Sequence, residues 1–125
     1  MMVLLTALGL AGQPTETAQD EAEAIHQLLA EAEEQRHQGQ YEAGLDLALE
    51  AVERAHKLKD PAITAEAHYQ TGILHHYMEQ VEPARAHLEI GLSQARMAGL
   101  RKMEGDLKVA QGVVEWKLGN LNLAM

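Results

Sequence analysis

The chain has 125 residues, a formal charge of -9, 46% hydrophobic residues and neither cysteine nor phenylalanine. That length holds one compact domain or part of an elongated one, and the missing cysteine excludes disulfides, thiolate metal sites and cysteine nucleophiles. Only four residues are aromatic, Tyr41, Tyr69, Tyr77 and Trp116, while Ala, Leu, Glu and Gln dominate, which favours helix over a β-sandwich or barrel.

Residues 1–50 carry ten acids against the single base Arg36, whereas residues 51–125 carry nine charges of each sign. A surface of that kind repels phosphate backbones and anionic lipid, so neither nucleic acid nor a membrane is an expected partner. The plain reading of the first half is a solvated, acidic helix.

The opening stretch Met1–Leu10 is apolar but falls well short of the roughly 20 residues a membrane-crossing helix needs, and it lacks the basic start of a secretory signal. It is expected to be a short cap helix or a tail within residues 1–16, and the chain is expected to be cytoplasmic. Thr17 with Asp20 resembles a capping box and opens a helix to about Gln38, where Gly39 supplies a left-handed stop. A second helix spans about Tyr41–Lys59 and ends at Asp60-Pro61, because the residue before proline is pushed out of the helical region. The third runs from about Ala62 to Met78. Pro83 suits the first turn of the fourth, which continues to Gly99. The fifth starts near Leu100 and is expected to stop at Leu118, with Gly119-Asn120 turning the chain into a short sixth.

These helices repeat at one offset. Gly72 and Gly112 stand 40 residues apart, as do Ala84 and Ala124 and the segments Gly39-Gln40-Tyr41, Glu79-Gln80-Val81 and Gly119-Asn120-Leu121. At the same step Gly44, Leu47, Ala48, Ala51, Val52 and Ala55 superpose on Ala84, His87, Leu88, Gly91, Leu92 and Ala95. Their spacing marks one face of a helix, and its small residues allow close helix approach.

On these residues, together with Glu42-Ala43, Ala65-Glu66-Ala67, Thr71-Gly72, Glu82-Pro83-Ala84 and Gln111-Gly112, the chain resembles tetratricopeptide repeats (TPR) in a longer variety of about 40 residues per unit. The resemblance covers about residues 25–125. It implies an all-α fold, a right-handed α-α superhelix of helical hairpins with about two and a half repeats, in units of about 25–64, 65–104 and an incomplete 105–125. Thr71 and His75, Glu31 and Gln35, and Gln111 and Glu115 stand in slots where the family usually has Leu or Tyr.

In such proteins the inner face of each unit's first helix lines a concave groove that holds a peptide. Carried over, that face takes Leu29, Glu33, Arg36 and His37, then Tyr69, Ile73, His76 and Tyr77, then Val109, Val113, Trp116 and Lys117. The partner-binding groove is therefore expected at Tyr69, Ile73, His76, Tyr77, Val109, Val113, Trp116 and Lys117, although Tyr69, Ile73 and Tyr77 could equally fill the core. Tyr and Trp suit a binding role because they combine large apolar area with a polar handle. The Lys and Asn with which some of these proteins grip a terminal carboxylate are absent from the matching places.

The resemblance implies a scaffold that binds a partner polypeptide or an adjacent domain, of the docking or sensory kind found at the start of larger bacterial signalling proteins. A homodimer is the alternative, with a second copy capping the unfinished last unit. No enzyme is expected: Ser93 is the sole serine, the glycines match no nucleotide-binding pattern, and paired acids such as Glu33-Glu34 lie on a polar surface. Of the seven histidines, His68 and His75 share a helical face and His75 adjoins His76. No third ligand is evident, so neither metal nor other cofactor is expected, and the histidines are read as surface or hydrogen-bonded core residues.

Overall fold

The computed structural model describes the backbone of residues 15–124 and the side-chain surroundings of residues 17–120. Of the expected tail, residues 1–14 lie outside the described residues, and 15 and 16 already belong to the first helix. Five helices follow one another: α1 Thr15–His37, α2 Tyr41–Leu58, α3 Pro61–Tyr77, α4 Val81–Ala98 and α5 Arg101–Ala124. There is no strand among the described residues, and no helix there is long and apolar enough to cross a membrane.

The first four helices stop where a residue turns left-handed: Gly39 at φ 77°, Lys59 at 59°, Glu79 at 61° and Gly99 at 69°. These stand 20 residues apart. At Gly39 the amide donates to the Arg36 carbonyl at 3.0 Å and the next amide, of Gln40, reaches back to Gln35 at 2.8 Å. Glu79 and Gly99 are closed by the same pair of bonds, which satisfies carbonyls that a helix end would otherwise leave orphaned. At the start of α3, Asp60 accepts from the amides of Ala62 and Ile63 at 3.0 and 3.2 Å, and Pro61 occupies the first turn, where its missing N–H costs nothing.

Two expectations need correction. Thr17 is the third residue of α1 rather than its cap. The turn expected at Gly119-Asn120 does not form, and α5 runs through both residues to Ala124, so the short sixth helix is absent. Among the described residues nothing packs within 4 Å of where a Gly119 side chain would begin. A lone glycine lowers helix propensity by only about 1 kcal/mol and stops a helix only where its freedom at positive φ is used.

Each helix packs on the next, and α1 and α5 both also touch α3. Ile25, Leu29, Ala51, Ala55, Ile63 and Ala67 form one buried cluster across α1, α2 and α3. A second joins Ala65 of α3 to Ala84, Leu88, Leu92 and Ala95 of α4 and Leu107, Ala110 and Val114 of α5. The face inferred from the 40-residue step is the buried one: Gly44, Ala48, Ala51 and Ala55 on α2 and Ala84, Leu88, Gly91, Leu92 and Ala95 on α4. Close approach is tightest at Gly72, where an added Cβ would lie 2.7 Å from Leu88. Across α1 and α2, Arg54 grips Glu21 with two bonds of 2.6 and 2.8 Å and also reaches Glu50.

Candidate functional site

Because α3 touches both α1 and α5, the three alternate helices leave a groove of about 370 Å³ along their common side. Glu33 and Arg36 from α1, Tyr69, Gln70, Ile73, His76 and Tyr77 from α3, and Asp106, Val109, Ala110 and Val113 from α5 line it. Helical spacing explains the set: 69, 73, 76 and 77 on α3 and 106, 109, 110 and 113 on α5 each form one face.

Six of the eight expected groove residues, Tyr69, Ile73, His76, Tyr77, Val109 and Val113, are in this lining. Trp116 and Lys117 are not. Trp116 is 70% exposed and continues the Val109–Val113 stripe one turn further along α5, while the Lys117 ammonium is held by Glu79 of the α3–α4 link at 3.3 Å. Leu29, carried over to the groove with α1, lies instead in the core at 1% exposure, and His37 is exposed. Tyr69 and Ile73 do both jobs, since each lines the groove and packs against the α3–α4–α5 core, whereas Tyr77 is exposed. Gln70, Asp106 and Ala110 were missed, and their positions one turn from an expected groove residue were the available signal.

The charge in the groove is mixed. Asp106 is held by Lys102 at 3.1 Å. Arg36 makes no ion pair among the described residues; its guanidinium lies over the Tyr77 ring at 5.6 Å, and Tyr77 is in turn stacked on Tyr41 at 5.4 Å. Among the described residues the buried Arg36 Nε has no hydrogen-bond partner, and a buried donor left unsatisfied costs about 1–3 kcal/mol. Burial, assisted by Lys117, pushes the His76 ring below the usual histidine range, and burial with the Asp106 charge pushes the Tyr69 hydroxyl up.

A second constellation lies where α2, α3 and α4 meet. His56 Nε2 is 2.8 Å from His68 Nε2, and His68 Nδ1 is 2.9 Å from His87 Nδ1. His75 stacks on His87 with centroids 5.5 Å apart and donates from Nδ1 to Gln80 Oε1 at 2.7 Å. The two nitrogens of the His68 ring point apart, so His56 and His87 meet it on opposite sides and do not converge on one point. Among the described residues no group of three His, Asp or Glu side chains could hold a metal ion. His87 stood on the small-residue face read from the sequence, and His68 and His75 on one face of α3; that juxtaposition was the signal for the cluster.

No protein-family model, curated protein or solved structure matches the chain.

Proposed function

We propose that the chain is a TPR-like interaction scaffold, with its helices stacked as a right-handed superhelix, that binds a partner polypeptide in the groove between α1, α3 and α5. The observation that carries this reading is a groove walled by three alternate helices, with exposed Tyr77, Val109 and Val113 on its rim and the Arg36 guanidinium, without an ion pair among the described residues, beside them. Soluble proteins rarely leave apolar side chains contiguous without a use, and aromatic and Arg side chains dominate the energetics of interfaces. An aliphatic side chain of the partner would pack on Ile73 and Val113, while a carbonyl or carboxylate oxygen would accept from the Arg36 guanidinium. A place as the docking or sensory module of a larger bacterial-type signalling protein is a further step, taken by analogy with the family it resembles.

The test is a displayed peptide library panned on the chain, with the enriched peptides then titrated against variants. Val113→Glu, and separately the pair Tyr77→Ala with Trp116→Ala, are expected to weaken capture at least tenfold with the helical circular dichroism unchanged. Equal binding to the Val113→Glu variant, or unfolding by the aromatic pair, would remove the groove reading.

One observation favours self-association as the second reading. Leu88 of α4 fills the space over Gly72, but Gly112, its counterpart at the 40-residue step, has nothing within 4 Å among the described residues. A second copy could cover that face, and sedimentation equilibrium at rising concentration, with Val109→Glu as the disrupting change, separates the two.

A further inference from the structure

The His56–His68–His87 relay joins different parts of the molecule. His56 belongs to the α1–α2 hairpin, and His68 and His87 to the α3–α4 hairpin, so the 2.8 Å bond crosses the junction and the 2.9 Å bond ties α3 to α4. His68 is 2% exposed.

A count of protons shows what the relay tolerates. Each nitrogen–nitrogen contact needs one hydrogen, and a neutral imidazole supplies one. Three neutral rings therefore fill both contacts and leave one hydrogen for an outer nitrogen, Nδ1 of His56 or Nε2 of His87. One more proton fills the other outer nitrogen. A second would set N–H against N–H and break a contact, whereas three free histidines take up three protons. Among the described residues no ion pair offsets the charge. From α2 the group facing His68 is His56 and from α4 it is His87, with His75 of α3 behind. Glu66 of α3 points to His26 of α1 at 3.9 Å, and α5 brings Leu107 to the neighbouring Gly91, which also faces the His68 Cβ. No carboxylate bonds to any of the four rings among the described residues.

We propose that the relay is an acid-released latch, which fastens the two hairpins while its rings are largely neutral and loosens their junction once they must take up more than one proton. The latch stands independently of the groove's occupant, although Tyr69 and His76 directly follow His68 and His75, so loosening it would move a wall of the groove.

Burial, then the neighbouring His87 and His56, push His68 down to about 4, and burial with His75 lowers His87. An unfolded histidine titrates near 6.5. Between about pH 6.5 and 4 the unfolded chain thus binds more protons, and the latch's contribution, complete above that window, is lost as pH falls through it. Each proton of difference changes the folding equilibrium constant tenfold per pH unit.

The test is thermal unfolding of the whole chain from pH 7 to 4.5, with His68→Leu, which keeps the volume and removes the titration. The variant is expected to unfold at a lower temperature than wild type at pH 7, with the difference shrinking or reversing by pH 4.5. A difference constant across the range overturns the latch. Should His68→Leu not fold, ring-nitrogen NMR of the wild-type chain decides: a His68 ring still neutral at pH 5.5 supports the latch, and one protonated with an ordinary midpoint in the folded chain overturns it.

Discussion

Gly72 and Gly112 hold equivalent places on α3 and α5, yet their surroundings are opposite. Leu88 and the Ala84 carbonyl close over Gly72 at 2.7 and 3.3 Å, whereas among the described residues nothing lies over Gly112. The contrast extends along each helix. At the places one 40-residue step apart, Tyr69, Ile73 and His76 on α3 are half-buried, while Val109, Val113 and Trp116 on α5 are 69, 44 and 70% exposed. A small residue gives a helix the capacity for close approach, but only a helix that turns back can use it. α4 turns back over α3 because the chain goes left-handed at Glu79; α5 meets no such turn and runs straight on.

The largest effect that should separate these regions comes from their big side chains. Leu88→Ala opens a cavity in the α3–α4–α5 core and is expected to cost about 2–5 kcal/mol in urea denaturation. Trp116→Ala removes a side chain already mostly in water and should change stability by no more than about 0.5 kcal/mol. Comparable losses from the two would mean that the outer face of α5 is covered in solution. The glycines sharpen the same contrast at smaller scale. Gly72→Ala forces a methyl against Leu88 and should lose about 1–3 kcal/mol, while Gly112→Ala should gain about 0.5–1 kcal/mol from helix propensity. Two changes of the same sign would break the comparison.

The all-helical architecture was legible because the breakers are local: Asp60-Pro61 and Gly39 act through their own backbone preferences. The buried faces of α2 and α4 were legible because six positions repeat at one step, and a shared spacing carries more information than any single alanine. The groove was legible in part. Tyr69 and Ile73 sit between core and groove, a distinction helical spacing does not make, and Leu29 went to the core because α2 and α3 both close over its part of α1. The histidine relay was less visible still, since its contacts join residues 12 and 19 apart whose meeting depends on how three helices pack. Thr71, in a slot where an apolar residue was expected, is fully buried because its hydroxyl donates to the Ala67 carbonyl at 2.8 Å.

The left-handed turns show where local preference stops deciding. Lys59 and Glu79 adopt positive φ without being glycine, and Gly119, one more 20-residue step along, is helical. Positive φ costs a residue with a Cβ roughly 1–2 kcal/mol, so packing of the next helix must outweigh that cost at Lys59 and Glu79, and among the described residues nothing packs at Gly119. The smallest of the expected effects tests this directly. Gly99→Ala should lose about 1 kcal/mol, because its φ of 69° is strained for alanine. Gly119→Ala should gain about 0.5 kcal/mol or more, because the helix runs through it. If Gly119→Ala instead destabilises the chain as Gly99→Ala does, the backbone turns at Gly119 in solution and the helix is interrupted there.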